Sequence, residues 1–212
     1  NNFNLDNRSK TFKPDFDEVI GENSKKYDQN NSIYKDIKNK VILVTGGAGS
    51  IGSVLIERLL KYNPQKIIVV DKDEYSIFNL KKRLGKNSKI YYKLIDTTKY
   101  EFLNLIFIKF KPDYVFNAAA YKHVNIVEDN LNYSLYNNIK TALNTCELSI
   151  KYKVKKCLLI STDKAVNPTN IMGLSKRLCE KIYLVYSKRN QAIFLIVRFG
   201  NVVGSKGSVV PY

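Results

Sequence analysis

Between Lys40 and Asp71 the chain reads KVILVTGGAGSIGSVLIERLLKYNPQKIIVVD, and the glycines of this stretch limit what the chain can fold into more than any other feature. Val41, Ile42, Leu43 and Val44 make an apolar, β-branched-rich run cut off by glycine, which predicts a buried parallel strand ending at Thr45. Gly46, Gly49 and Gly52 follow at G-x-x-G-x-x-G spacing. Behind them Ile51, Val54, Leu55, Leu59 and Leu60 recur at helical spacing, and Ile67 to Val70 form a second buried strand ending in Asp71. In such a βαβ unit the first glycine permits a tight turn, the second lets backbone approach a pyrophosphate, and the third lets helix pack on strand while helix N–H groups face the phosphates. Asp71 then lies where a ribose would be. A turn that serves packing alone is the alternative, but strand, triplet, helix and an acid about 20 residues on agree in predicting dinucleotide binding.

Strand and helix signals alternate through the rest of the chain. Helices are expected over Ser76 to Leu84, Tyr100 to Lys109, Asn130 to Tyr152 and Ser175 to Arg189, and strands over Ile90 to Ile95, Asp113 to Asn117, Lys156 to Ser161 and Ala192 to Arg198. Phe102, Leu105, Ile106 and Phe110 stand at core spacing. This alternation specifies an α/β fold: a Rossmann-like doubly wound parallel sheet with helices on both faces, whose ligands bind beyond the carboxyl ends of the strands. Asp96 closes the third strand and either reaches an adenine edge or starts a turn ahead of Thr97 and Thr98. Asn117-Ala118-Ala119-Ala120 ends the fourth with residues small enough for a cofactor to approach, or simply for close packing. Residues 1–38, rich in Asn, Lys, Asp and Ser, read as a polar arm or linker, and residues 39–212 as the dinucleotide domain. Six strands are used up by about residue 198. The expectation is therefore a largely missing substrate domain, with Val202 to Tyr212 a loop leading toward it.

The formal net charge of +16 raises nucleic acid or an anionic membrane surface as partners. However, 29 of the 35 basic residues are Lys, spread along the chain with no Arg block, which argues against a specific nucleic-acid partner and leaves a phosphate-rich small substrate or an adjoining membrane. Cys146, Cys157 and Cys179 share no ligand spacing and His123 is the single histidine, so no metal site and no disulfide framework is expected, and the compartment reads as reducing. No apolar run approaches the ~20 residues that span a bilayer, and the first residues show no signal-peptide pattern.

Strand five runs into Ser161-Thr162-Asp163-Lys164, followed by Asn167-Pro168-Thr169-Asn170 and Met172-Gly173-Leu174-Ser175-Lys176. Hydroxyl, carboxyl and amine meet at one strand end, where a nicotinamide would lie in this fold. A solvated Asp-Lys turn is an equal alternative on sequence logic alone. Lys176 lies four residues past Met172 and hence on the same helix face.

Taken together and in this order, TGGAGSIGS, NAAAYKHV, ISTDKAVNPTNIMGLSKR and VRFGNVVGSKGSV resemble the extended short-chain dehydrogenase/reductases. Within these they resemble the UDP-N-acetylglucosamine 4,6-dehydratases of bacterial surface-glycan and protein-glycosylation pathways, over about residues 12 to 212. Phe12 to Ile20 is similar to the segment that follows a transmembrane region in long-form members. The resemblance implies NAD as cofactor and a UDP-sugar as substrate. It assigns Gly46, Gly49, Ser50, Ile51 and Gly52 to the pyrophosphate loop, Asp71 with Lys72 to the adenosine ribose, and Asp96 with Thr97 to the adenine side. Ala118, Ala119 and Ala120 become the cofactor wall and Lys176 the holder of the nicotinamide ribose. Thr162, Asp163 and Lys164 become the catalytic trio, and Lys122, His123 and Asn201 stand near the substrate. The superfamily's Tyr-x-x-x-Lys pair reads Met172 to Lys176 here, and a thioether transfers no proton. Long-form dehydratases also carry Met at this place, so the resemblance leaves open which group deprotonates the sugar 4-hydroxyl.

The implied reaction is an internal redox cycle. Hydride leaves sugar C4, the resulting ketone acidifies the C5 proton, neutral Lys164 takes that proton while protonated Asp163 gives one to the departing 6-hydroxyl, and hydride returns to C6. Thr162 would hold the 4-hydroxyl, and Asp163, once ionised, could serve as its base. A nucleotide-sugar 4-epimerase is the runner-up, disfavoured by the Asp163-Lys164 pair, and a cofactor-binding module without activity is the third reading. The resemblance also implies the cytoplasmic domain of an inner-membrane-anchored protein, with membrane contact only through a missing transmembrane region, and leaves homo-oligomerisation open.

Overall fold

The structure is a computed structural model that describes residues 32–188 and 192–202. The expectations for Phe12 to Ile20 and for the stretch after Val202 concern residues outside these. Six strands, β1 (Val41–Thr45), β2 (Lys66–Asp71), β3 (Ile90–Leu94), β4 (Tyr114–Asn117), β5 (Lys156–Thr162) and β6 (Ile193–Phe199), form one parallel sheet in the order β3-β2-β1-β4-β5-β6. The direction of winding reverses between β1 and β4, which pair directly, so the crevice that binds ligands in such sheets opens above their carboxyl ends.

Helices α1 (Ser32–Ile37), α2 (Ser50–Leu60), α3 (Glu74–Leu84), α4 (Tyr100–Phe110), α5 (Val124–Asp129), α6 (Leu131–Lys151) and α7 (Ile171–Ser187) cover the two faces. Successive strand residues point to opposite sides. Ile42, Val44, Ile67 and Val69 meet Ile37, Ile56, Leu59 and Leu80 on one face, whereas Leu43, Ile68 and Val115 meet Leu103, Phe107, Cys146 and Tyr183 on the other. Burial on both sides is why β1 and β2 read as unbroken apolar runs.

The structure departs from the sequence reading in several places. In α4 the core face is Leu103, Ile106, Phe107 and Phe110, while Phe102 and Leu105 are 57% and 58% exposed. That helix is apolar nearly all round, so periodicity admits more than one facing register. In α2 Gly52, Ser53 and Ile56 are buried, a Cβ on Gly52 would stand 2.3 Å from the Gly46 carbonyl oxygen, and Val54 lies on the half-exposed side of the helix. Helix α7 starts at Ile171 and not at Ser175: Asn170 caps it by accepting a hydrogen bond from the Gly173 N–H (2.8 Å). The supposed arm includes α1, whose Ile37 is buried in the core, and α5 was too short to show a period in the sequence.

Candidate active site

At the end of β1 the Thr45 hydroxyl donates to Asn117 Oδ1 (2.8 Å) and the Ala118 N–H donates to the Thr45 carbonyl (3.0 Å), which ties the glycine loop to the end of β4. Gly46 has φ +63°, a left-handed conformation, and a Cβ there would stand 2.6 Å from the Ala119 backbone. The loop and the alanine wall therefore touch backbone to backbone. No side chain caps α2 at Gly49, so the N–H groups that open this helix, at Ser50, Ile51 and Gly52, carry the partial positive charge that suits a phosphate.

Asp71, at the end of β2, accepts from the Ala48 N–H through Oδ2 (3.0 Å) and from the Asp73 N–H through Oδ1 (3.2 Å), which fixes its carboxylate beside the glycine loop. Lys72 donates to the Tyr121 hydroxyl and to Asn137 Oδ1 (2.9 Å), its ammonium 4.2 Å from the Tyr121 ring centre. Asp96 makes the turn: its Oδ1 accepts from the Thr98 N–H (2.9 Å) and hydroxyl (2.8 Å). The Thr97 hydroxyl is buried and hydrogen-bonded to that of Thr141 on α6 (2.9 Å).

The strand-five residues do converge. Thr162 ends β5, and Asp163–Ala165 form a single 3-10 turn. Asp163 Oδ1 accepts from the Thr162 hydroxyl (2.9 Å), the Lys164 N–H (2.8 Å) and Lys164 Nζ (3.3 Å), and Lys164 Nζ also donates to Asn201 Oδ1 (3.0 Å). Hydrogen bonds from Thr162 and then Lys164 hold the solvent-facing Asp163 carboxyl below its ordinary value. Gly173 lets α7 approach this turn, since a Cβ there would lie 2.5 Å from the Lys164 carbonyl oxygen. On the same helix Met172 is buried, and Lys176 donates Nζ to the Ile160 carbonyl (2.5 Å), with burial lowering its pKa from the usual lysine value. Lys122 and His123 are exposed at the same end of the sheet, in the connection from β4 to α5.

Two groups of residues in the site escaped the sequence reading. Asn138 on α6 accepts from the Tyr121 N–H (2.8 Å) and donates Nδ2 to the Tyr121 carbonyl (3.1 Å) and the Ser175 hydroxyl (3.0 Å), joining the β4 loop to α7. Glu180 on α7, 2% exposed, accepts from the Ser161 hydroxyl (2.7 Å) and from Arg198 Nε (2.9 Å) and a terminal guanidinium nitrogen (2.7 Å), locking β5 to β6 directly behind Thr162. Helical spacing from Lys176 could have placed Glu180 beneath the site, but nothing in the sequence pairs it with Arg198. Among the described residues no cluster of His, Cys, Asp and Glu could hold a metal, and no helix is long and apolar enough to cross a membrane.

Residues 42–212 match the model of a family described as polysaccharide biosynthesis protein. The chain belongs to this family. Over 184 residues it is 40% identical to the capsular polysaccharide biosynthesis protein CapD of Staphylococcus aureus, covering 84% of this chain and 31% of that protein. It is 38% identical to a UDP-N-acetylglucosamine 4,6-dehydratase (inverting) of Campylobacter jejuni (82% and 52%) and 35% identical to a UDP-glucose 4-epimerase of Rickettsia prowazekii (82% and 52%). The chain thus spans about half or less of the length of these curated relatives. Among solved structures, Pen from Bacillus thuringiensis superposes with a TM-score of 0.77 at 33% identity, over 82% of this chain and 53% of that one. WbmG from Bordetella bronchiseptica, in complex with NAD and UDP, gives 0.65 at 26% identity, over 77% and 54%. The Rossmann-like doubly wound sheet and the polysaccharide biosynthesis family to which the motifs pointed are therefore both established.

Proposed function

We propose that this chain carries the cofactor-binding and proton-transfer residues of an NAD-dependent nucleotide-sugar 4,6-dehydratase acting on a UDP-N-acetyl-hexosamine. One observation carries the reading. Asp163 and Lys164 are held together at the end of β5 with Thr162, on the strand end nearest to Lys176, while Met172 fills the position at which the superfamily keeps tyrosine. An acid and a base side by side suit removal of water, which needs the C5 proton taken and a proton given to the departing 6-hydroxyl; inversion at C4 moves only the 4-hydroxyl proton and touches neither C5 nor the 6-hydroxyl.

The residues present fit the cofactor. Backbone contact between Gly46 and Ala119 leaves a cradle that a side chain would fill, uncapped N–H groups of α2 face a pyrophosphate, and Asp71 presents a carboxylate to a ribose. When bound, NAD supplies the hydride acceptor for sugar C4 and the donor for C6. Lys176 would hold the nicotinamide ribose, and Thr162 would orient the 4-hydroxyl. Asp163, ionised, would take the 4-hydroxyl proton as C4 is oxidised and give it to the departing 6-hydroxyl, while Lys164, its amine neutral, would take the C5 proton and return one to C5 when hydride reaches C6. The open site holds Asp163 ionised, so its acid role requires the substrate to cover it, since burial raises a carboxyl pKa.

The 4-epimerase reading draws support from the Rickettsia relative, and the product separates the two. Incubation of the complete gene product with UDP-N-acetylglucosamine is expected to yield a 4-keto-6-deoxy sugar, lighter by one water in the mass spectrum. A product of unchanged mass inverted at C4 would replace this reading by the epimerase.

A further inference from the structure

The net positive charge is not spread evenly over the fold. Because all six strands are parallel, every connection that leads into a strand lies at one end of the sheet, and the strand starts are in register: Val41 with Lys66, Ile67 with Ile90, Tyr114 with Lys156, Lys156 with Ile193. The turn from α3 to β3 holds Lys81, Lys82, Arg83, Lys86 and Lys89 and no acid. The turn from α6 to β5 holds Lys151, Lys153, Lys155 and Lys156, again with no acid. Lys61 and Lys66 lead into β2, and Lys109 and Lys111 into β4. Among the described residues the acids here include Glu57 paired with Arg83 (3.0 Å), Asp113 with Lys155 (2.9 Å) and Asp36 with Lys156, and Glu147 stands one turn before Lys151, so a positive excess remains among these residues. The opposite end, by contrast, carries Asp71, Asp73, Glu74, Asp96, Glu101 and Asp163 against fewer lysines.

Helix dipoles account for only part of this, because they favour cations within the last turn and Lys86, Lys89, Lys111, Lys153 and Lys155 lie past the helix ends. Lys111 (φ 46°) and Lys153 (φ 56°) even occupy left-handed backbone, where glycine or asparagine is the unstrained choice. We infer that this end of the sheet is a docking surface for an anionic lipid bilayer. Its six strand starts, spaced 4.7–4.9 Å, make a row about 24 Å wide. Charge of this kind, diffuse and almost all lysine, is what a leaflet of anionic headgroups attracts, whereas nucleic-acid readout favours arginine forks. Docked in this way, the protein turns the candidate active site away from the bilayer, on the far side of the sheet about 20 Å off.

Vesicle co-sedimentation tests the inference, with phosphatidylglycerol vesicles set against phosphatidylcholine vesicles at about 0.1 M salt. Binding is expected to the former only and to weaken as salt rises. The triple substitution Lys86→Gln, Lys89→Gln and Lys153→Gln is expected to lower partitioning roughly a hundredfold, at about fivefold for each lysine near an anionic surface. Lys99→Gln, Lys140→Gln and Lys181→Gln, which remove the same charge from the other end and the helix flanks, are expected to change it little, and circular dichroism melts verify that both variants fold. Equal losses in the two triples, no binding to either vesicle, or displacement of the vesicles by an equimolar random DNA duplex would each overturn the inference.

Discussion

Asp163 accepts three hydrogen bonds on a single carboxylate oxygen, two of them from Lys164, so the pair is held together before any substrate arrives. If this pair performs the proton transfers, Asp163→Asn and Lys164→Met each lower turnover by about 10²–10⁴-fold while NAD affinity, read by calorimetric titration, is unchanged. Loss of NAD binding in either variant would instead assign the residues to the cofactor site. Gly46 carries a different kind of constraint. Gly46→Ala combines left-handed strain of about 1–2 kcal/mol with overpacking of about 1–3 kcal/mol against the Ala119 backbone, so thermal denaturation is expected to show a loss of about 2–5 kcal/mol. At this scale the sequence was legible where a residue type has few uses, as with the glycine triplet: Gly46 takes a left-handed φ, and a Cβ on Gly52 would meet the loop backbone. It was illegible where a polar group chooses among partners. Asp96 has both turn and ligand chemistry open to it in sequence, and in the fold its Oδ1 accepts from Thr98, while Lys72 finds Tyr121 and Asn137 only once β2, β4 and α6 are assembled.

Among the elements, β5, β6 and α7 matter most, because Glu180 fastens all three behind the site. Burial pushes the Glu180 carboxyl up, but hydrogen bonds from Arg198 and Ser161 and the Arg198 charge outweigh it, and the net shift is downward. Glu180→Ala is expected to cost about 2–3 kcal/mol, below the 3–5 kcal/mol of a fully buried pair because Arg198 keeps 40% exposure. A folded pKa below the unfolded one means that the stabilisation is present above about pH 4.3 and is lost as pH falls through the folded value. Acid denaturation of Glu180→Gln should therefore be less steep than that of the wild type below about pH 4.3; identical slopes would show that the ion pair contributes nothing to the pH dependence. The six strands and the five longer helices were readable in order from their alternation, whereas α1 and α5, each six residues long, showed no period. Facing was not, as α4 shows: with apolar residues on every side, the helix is seated by the sheet it meets and not by its own pattern.

Over the whole molecule, parallel topology gathers the strand ends into two surfaces of opposite character, a chemistry the composition alone does not display. A total of +16 says nothing about where the lysines lie until the strand starts are brought into register. At the mouth, the Asp71 carboxylate would favour a ribose 2'-hydroxyl over a 2'-phosphate, and Lys72 is engaged with Tyr121 and Asn137. Calorimetric titration is expected to show NAD bound more tightly than NADP, and the reverse order would refute this reading of Asp71. The proposed reaction joins these features in one cycle of hydride and proton transfer, and it leaves a mark at one carbon. When the complete gene product acts on UDP-N-acetylglucosamine in D2O, NMR of the product should show the 6-hydroxyl gone and a solvent-derived deuterium at C5, where Lys164 removed the proton. A product that keeps the 6-hydroxyl and carries no deuterium at C5 would contradict the account.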